Sequence, residues 1–150
     1  MKTLAKNPKA KFDYEILDTY EAGLVLNGNE VKSIKSGRMS LKGAHVTVNQ
    51  EEAWLINANI PPYQPANTSE QYDPTRSRKL LLHKKQIKNL MGRTQEKGLT
   101  LVPLRVYNKK NQIKLELALV KGKRKEDKRE AIKEREDKRR IQRMMKDKNL

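Results

Sequence analysis

The chain contains no cysteine, so neither a disulfide framework nor a thiolate metal site can hold it together. No apolar run approaches the roughly 20 residues that a membrane span needs. Met1 to Asn7 carries charge without the apolar stretch of a secretory signal. These absences lead to the expectation of a cytoplasmic protein with no membrane partner. A glycine-rich phosphate loop of the Gly-x-x-x-x-Gly-Lys type is also missing. The only two histidines, His45 and His83, have no partner at the spacing of a metal site or a catalytic triad, and both are read as structural. Neither a metal nor another cofactor is expected. Residues 121–150 lack both aromatic residues and proline.

Those thirty residues hold instead fourteen Lys or Arg against seven Asp or Glu. Their apolar residues are Ala131, Ile132, Ile141, Met144, Met145 and Leu150, too few to offset the entropy of ordering the segment. It should stay disordered until a polyanion organises it. The whole chain carries a formal +16, of which the tail supplies +7 and the remainder +9, so the positive field covers both parts. A field of that kind attracts nucleic acid or an anionic membrane surface. The asymmetry between a foldable body, 1–120, and a basic tail, 121–150, points to RNA.

Along the body, Phe12, Tyr14 and Ile16 alternate with Asp13, Glu15 and Leu17, the pattern of a half-buried strand. Tyr20 to Gly23 reads as a turn, and Leu24 to Leu26 as a resumed strand. Beyond the break at Asn27 to Asn29, Glu30 to Lys35 fits a short helix with Val31 and Ile34 on one side, stopped at Gly37. His45 to Val48 and Ala53 to Ile56 read as a hairpin around Asn49 to Glu52. Residues 61–75 hold four of the six prolines and read as a loop. From Arg78 the spacing of Leu80, Ile87, Leu90 and Met91 predicts a helix of about four turns that ends near Gly98. A last hairpin pairs Val102, Leu104 and Val106 with Ile113, Leu115, Leu117 and Leu119 across a turn at Asn108 to Asn111. The fold class is mainly β with helices. About six strands and two to three helices in so few residues suggest a small closed β-barrel of the oligonucleotide-binding type.

Catalytic chemistry finds little support. Asp13, Glu15, Asp18 and Glu21 lie along one segment, and Glu51 and Glu52 share a turn, but spacing brings nothing to converge on them. A metal-dependent ribonuclease using the acids near 13 to 21 is the weakest of three readings. The second is a structural ribosomal protein with a basic extension. The first is a non-enzymatic RNA-binding factor.

Certain blocks are more specific than composition. Asn7-Pro8-Lys9-Ala10, Phe12-Asp13-Tyr14, Thr19-Tyr20-Glu21-Ala22-Gly23, Glu30-Val31-Lys32-Ser33, Asp73-Pro74-Thr75-Arg76, Arg78-Lys79-Leu80-Leu81-Leu82-His83, Lys97 to Leu104, and Lys121-Gly122-Lys123 with Asp127-Lys128-Arg129 occur in this order. Together they resemble the small protein B (SmpB) family, the binding proteins of transfer-messenger RNA (tmRNA, or SsrA RNA). The likeness runs from residue 7 to about 130. It implies an oligonucleotide-binding barrel that grips the tRNA-like domain of tmRNA and, together with elongation factor Tu, delivers it to stalled ribosomes in trans-translation. It further implies a tail that enters the empty message channel at the decoding site and becomes helical there.

By matching position, the resemblance implies RNA contacts at Asn7, Tyr14, Glu21, Ala22, Gly23, Leu81 and Lys114, with Lys9 beside Asn7 on a flexible arm. For Tyr14, alternation with Phe12 and Ile16 equally fits a core position, and Gly23 equally fits a turn. Glu21 would repel phosphate, so it is read as an acceptor for a base or ribose, or as a holder of a basic side chain. In the tail the implied ribosome-contacting residues are Gly122, Lys123, Arg124, Asp127, Lys128, Arg129, Ile141 and Met144. Lys and Arg at 123, 124, 125, 128 and 129 would meet phosphates. Glu134 with Lys138 and Glu136 with Arg140 favour helix by only ~0.2 to 0.5 kcal/mol per pair, too little for nucleation in free solution. Two positions depart from the family: Phe12 stands where histidine is frequent, and Glu126 where an aromatic or histidine often stacks.

Overall fold

The computed structural model describes residues 2–64, 66, 71–123 and 125–148. Among these residues, seven strands and four helices follow the order β1 (Lys2–Lys6), α1 (Ala10–Asp13), β2 (Tyr14–Leu24), α2 (Gly28–Lys35), β3 (His45–Asn49), β4 (Glu52–Ile56), β5 (Arg78–Leu81), α3 (Lys84–Arg93), β6 (Leu99–Lys109), β7 (Gln112–Gly122) and α4 (Lys125–Lys148). All neighbouring strands run antiparallel. Six of them close into a ring in the order β6, β3, β4, β5, β2, β7 and back to β6, with β1 as an extra strand on β6. The closure between β3 and β6 is a single pair, Val46 with Leu101. Ring closure leaves few unpaired strand edges.

Two tight turns explain the two hairpins. Gln50 and Glu51, and likewise Lys110 and Asn111, take positive φ of 49 to 64°, the two-residue geometry whose twist matches antiparallel strands. The second turn is shorter than Asn108 to Asn111, because Asn108 and Lys109 still pair with Ile113 and Gln112. α2 begins with a reciprocal cap: Glu30 N–H donates to Asn27 Oδ1 (2.9 Å), and Asn27 N–H donates to Glu30 Oε1 (3.1 Å). Gly37, at φ +81°, turns the chain after α2 where an L side chain would be strained.

The ring encloses the main core, which includes Ile34, Leu41, Leu55, Ile60, Leu80, Leu101, Val106, Leu115, Leu117 and Leu119. A second, smaller cluster joins Ala10, Val102, Ala118 and Val120, with Tyr14, Ile16 and Leu104 packed against it. On β7 the alternation is plain. Leu115, Leu117 and Leu119 face the ring interior, whereas Ala118 and Val120 face outward beneath α1.

Five local expectations are corrected. Phe12 lies in α1, not in a strand, because Asp13 and Phe12 donate backbone hydrogen bonds back to Lys9. Tyr20 to Gly23 is not a turn: β2 continues through it, paired to β7 from Tyr14 with Gly122 to Gly23 with Lys114. The arm at Asn7 is not free, since β1 pairs with β6 and Asn7 Nδ2 donates to Pro103 O at 2.9 Å. Arg78 to Leu81 forms β5, and the helix begins only at Lys84 and ends at Arg93. Finally, Val102 and Leu104 do not share a face with Val106, because a register shift between Pro103 and Arg105 puts them in different clusters.

The loop after β4 is fastened through Glu30 and Arg78, both fully buried. Arg78 Nε donates to Glu30 Oε2 (2.8 Å) and Nη1 to Ala58 O (2.7 Å). Arg76 closes on the same carboxylate. Burial alone would raise the Glu30 pKa, but the hydrogen bonds from Arg76, the Asn27 N–H and Arg78 outweigh it and hold the carboxyl below its ordinary value. Tyr72 and Ser33 tie the same loop down by donating to Ile60 O and Pro61 O, each at 2.6 Å.

Candidate RNA interface

The outward face of β2, β7 and β6 is divided in two. At the end where β2 begins, α1 covers it and makes the second cluster. At the other end, among the described residues, no such outer cluster forms, and β2, β6 and β7 carry Glu21, Tyr107, Lys109 and Lys114 there. Gly23 pairs with both Leu81 and Lys114, so three of the residues singled out in the sequence meet at one point of the sheet. Leu80 is buried in the ring, and the alternation of β5 therefore turns Leu81 outward, 54% exposed. A β-carbon added at Gly23 would lie 3.3 Å from Leu81 Cβ. The glycine thus allows Leu81 to lie flat across β2. A groove of about 420 Å³ runs beside it, lined by Leu26, Val31, Lys35, Leu81, Ile113 and Lys114 among others.

Glu21 stands two residues before Gly23, on the same face. Its carboxylate accepts a hydrogen bond from the Tyr107 hydroxyl and contacts Lys109 Nζ at 3.3 Å. The bond from Tyr107 is the main reason its pKa falls below the ordinary value; burial opposes it, and Lys109 and then Lys114 add further lowering. Tyr107 is pushed the other way, upward, first by burial and then by the Glu21 carboxylate. An ionised acid ringed by lysines keeps acceptor capacity for donors of a base or ribose. Ala22 alternates inward and is buried in the main core, so its side chain does not reach this face.

Asn7, Lys9 and Tyr14 lie elsewhere. From Tyr14 to Gly23 the extended strand covers roughly 30 Å. Asn7 is engaged with Pro103, Lys9 precedes the first turn of α1, and Tyr14 packs on the second cluster. All three line a second groove of about 830 Å³, together with Lys6, Lys42 and His45. The sequence-derived residues thus form two groups at opposite ends of one strand.

The tail starts beside the second group. Gly122 is the last residue of β7, paired with Tyr14. Lys123 is held there too: its N–H donates to Asp13 O (3.0 Å) and its Nζ to Lys11 O (2.8 Å). Arg124 lies outside the described residues, as do Pro65 and residues 67–70 of the proline-rich loop. Asp127, Lys128 and Arg129 fall within α4, a single helix of 24 residues that also carries Ile141 and Met144, both exposed. α4 meets α1 where the Arg135 guanidinium lies over the Phe12 ring, 5.0 Å from its centroid.

The acids of the ribonuclease reading are engaged separately. Asp18 accepts from Thr19 N–H and the Tyr20 hydroxyl and faces Arg93, whereas Glu21 is held by Tyr107 and Lys109. Among the described residues, no three His, Asp or Glu are placed to share a metal ion. Also among them, no helix is long and apolar enough to cross a membrane. Sequence reasoning missed Tyr107, Lys109 and Lys35 at the open face. The alternation Arg105, Tyr107, Lys109, opposite in phase to Val106, was the available signal.

A family model described as SmpB protein matches residues 4–147. The SsrA-binding protein of Thermosynechococcus vestitus is 49% identical over 146 residues, which cover 97% of this chain and 96% of that protein. The SsrA-binding protein of a Sulfurihydrogenibium species is 55% identical over 147 residues, covering 98% and 96%. A chain from a solved structure described as "tmRNA-SmpB: a journey to the center of the bacterial ribosome" superposes with a TM-score of 0.67. It shares 44% identity, and the match covers 85% of this chain and 92% of that one.

Proposed function

The chain belongs to the SmpB protein family, and from that membership we propose that it is a non-enzymatic, cytoplasmic RNA-binding factor of trans-translation. It binds the tRNA-like domain of tmRNA and delivers it, with elongation factor Tu, to stalled ribosomes. The observation that carries this reading is the near full-length likeness to SsrA-binding proteins, body and tail together.

The chemistry of the chain agrees with a division of labour. The open end of the sheet offers an exposed apolar side chain (Leu81), an ionised acceptor (Glu21) and cations (Lys109, Lys114) on rigid strands. Irregular or looped RNA presents unstacked bases and 2′-hydroxyls that such a surface can meet. Asn7, Lys9 and Tyr14, beside the root of α4, serve RNA contacts nearer the tail. α4 carries charge at most positions and exposes Ile132, Ile141, Met144 and Met145. Its helix gains its strength from the ribosomal channel, since ion pairs of ~0.2 to 0.5 kcal/mol do not sustain it alone. Lys123, Arg124, Lys128 and Arg129 meet phosphates there, and Ile141 and Met144 pack against the channel wall.

The test separates the two parts. Because Gly122 and Lys123 belong structurally to the body, the cut is placed after Lys123. A chain lacking residues 124–150 should retain affinity for a transcript of the tRNA-like domain and lose peptide tagging. Loss of both together would refute the division. RNA that copurifies with the full chain should be dominated by one tRNA-like species. Stoichiometric recovery with all ribosomes would instead mark a structural ribosomal protein.

A further inference from the structure

Tyr107 is nearly fully buried at 2% exposure, although it lies on the outward side of β6. Its cover is built from charged neighbours. The Arg105 guanidinium lies over the ring, 4.4 Å from the centroid, and is itself held by Glu116 (3.5 Å) and Thr3 Oγ1 (3.4 Å). The ring crosses above β7, and its hydroxyl reaches Glu21 on β2. Packing alone would need only the ring.

We propose that Tyr107 is the positioning residue of the RNA-facing surface: its hydroxyl fixes the Glu21 carboxylate so that the remaining lone pairs point outward, toward amino or hydroxyl donors of RNA. The assignment rests on the RNA reading given above. Lys109 contacts the same carboxylate, but both partners are about 40% exposed. An exposed ion pair between flexible side chains holds little fixed geometry. The tyrosine has two rotatable bonds, a buried ring and a single proton to donate. One charge-assisted hydrogen bond to Glu21 therefore orients the acid before RNA arrives. A carboxylate has about four acceptor positions; Tyr107 and Lys109 leave some of them open. Fixing the acid also decides what it accepts, since a free carboxylate in a phosphate-rich interface would swing away from its partner.

The experiment is a double-mutant cycle on the full chain: wild type, Tyr107→Phe, Glu21→Ala and the double variant. The probe is a transcript of the tRNA-like domain at fixed salt. Tyr107→Phe keeps the ring beneath Arg105, so the packing persists. It should weaken binding roughly fivefold or more in the wild-type background, and by less than about twofold once Glu21 is Ala. A second measurement reads the side chain directly. The carboxyl carbon of Glu21, followed by NMR, should titrate at higher pH in Tyr107→Phe than in wild type, with Lys109, Lys114, Glu116 and Arg105 as the surrounding charges in both. Equal losses in the two backgrounds, or an unmoved titration, would overturn the assignment and leave Tyr107 a packing residue. A wild-type chain that binds the transcript no better than an ordinary tRNA would overturn the RNA reading, and the assignment with it.

Discussion

Replacing Arg78 by Met should destabilise the protein by about 3 kcal/mol, at the lower end of the 3 to 5 kcal/mol found for breaking a buried ion pair. Arg78 and Glu30 are both fully buried, with Nη2 and Oε2 2.7 Å apart. Met is close to Arg in volume, so the change removes charge and donors more than packing. Two groups then lose a partner. The Ala58 carbonyl, which accepts from Arg78 Nη1, is stranded at a cost of about 1 to 3 kcal/mol. Glu30 keeps Arg76 and the Asn27 N–H, which is why the upper end is not reached. A domain of this size has about 5 to 15 kcal/mol in all, so the loss is a large share. Urea unfolding at pH 7 measures it. With a slope of about 1 to 3 kcal/mol per molar, the midpoint should fall by roughly 1 to 3 M at unchanged slope. A loss below about 1 kcal/mol would mean that the pair adds almost nothing over an apolar replacement, and the clamp described for the loop would be wrong. Glu30→Gln combined with Arg78→Met should cost less than the two single changes summed, because the second change no longer strands a charge.

Two further outcomes follow from the same groups and from Gly23. Glu30 and Glu21 both have pKa values held below the ordinary 4.5. Each therefore contributes stability that is fully present above that value and is lost as pH falls through the depressed one. The urea midpoint should be level from pH 7 to 5 and decline below about 4.5, less steeply in Glu30→Gln; a level curve down to pH 3 would contradict the assignment. Gly23→Ala should push Leu81 aside by a few tenths of an ångström, given the 3.3 Å contact. Affinity for the tRNA-like transcript should drop several-fold while stability changes by less than about 1 kcal/mol, and unchanged affinity would remove Leu81 from the RNA surface.

What could be read in the sequence followed from local rules. The β3–β4 and β6–β7 hairpins, α2 with its stop near Gly37, and the described parts of the proline-rich loop all rest on period and turn chemistry within a few residues. The errors lie where distant partners override local pattern. Arg78 to Leu81 shares its apolar spacing with the helix that follows, and only pairing with β4 and β2 makes it a strand. Tyr20 to Gly23 looks like a turn until β7 pairs with it along its length. Pro103 marks β6 as an edge or bulged strand, but the phase beyond it is set by registry with β7, which local pattern does not carry. At the interface, Gly23, Leu81 and Lys114 are far apart in the chain, and in the sequence only the family resemblance links them. Their meeting is a property of the ladder. Tyr107 was missed because its partner, Glu21, lies 86 residues away.

The long pairing of β2 with β7 has a mechanical consequence. β7 is one uninterrupted ribbon from the Lys110–Asn111 turn to the root of α4, and its neighbours on both sides stiffen it. Whatever is seated at Gly23, Leu81 and Lys114 therefore meets the start of the tail at a set remove of roughly 30 Å, and α4, with its 24 residues, is itself roughly 36 Å long. The molecule behaves as a caliper whose jaws are calibrated by strand register. Slipping β7 by one residue would alter the gap by only about 3.3 Å, yet it would invert every side chain along the scale.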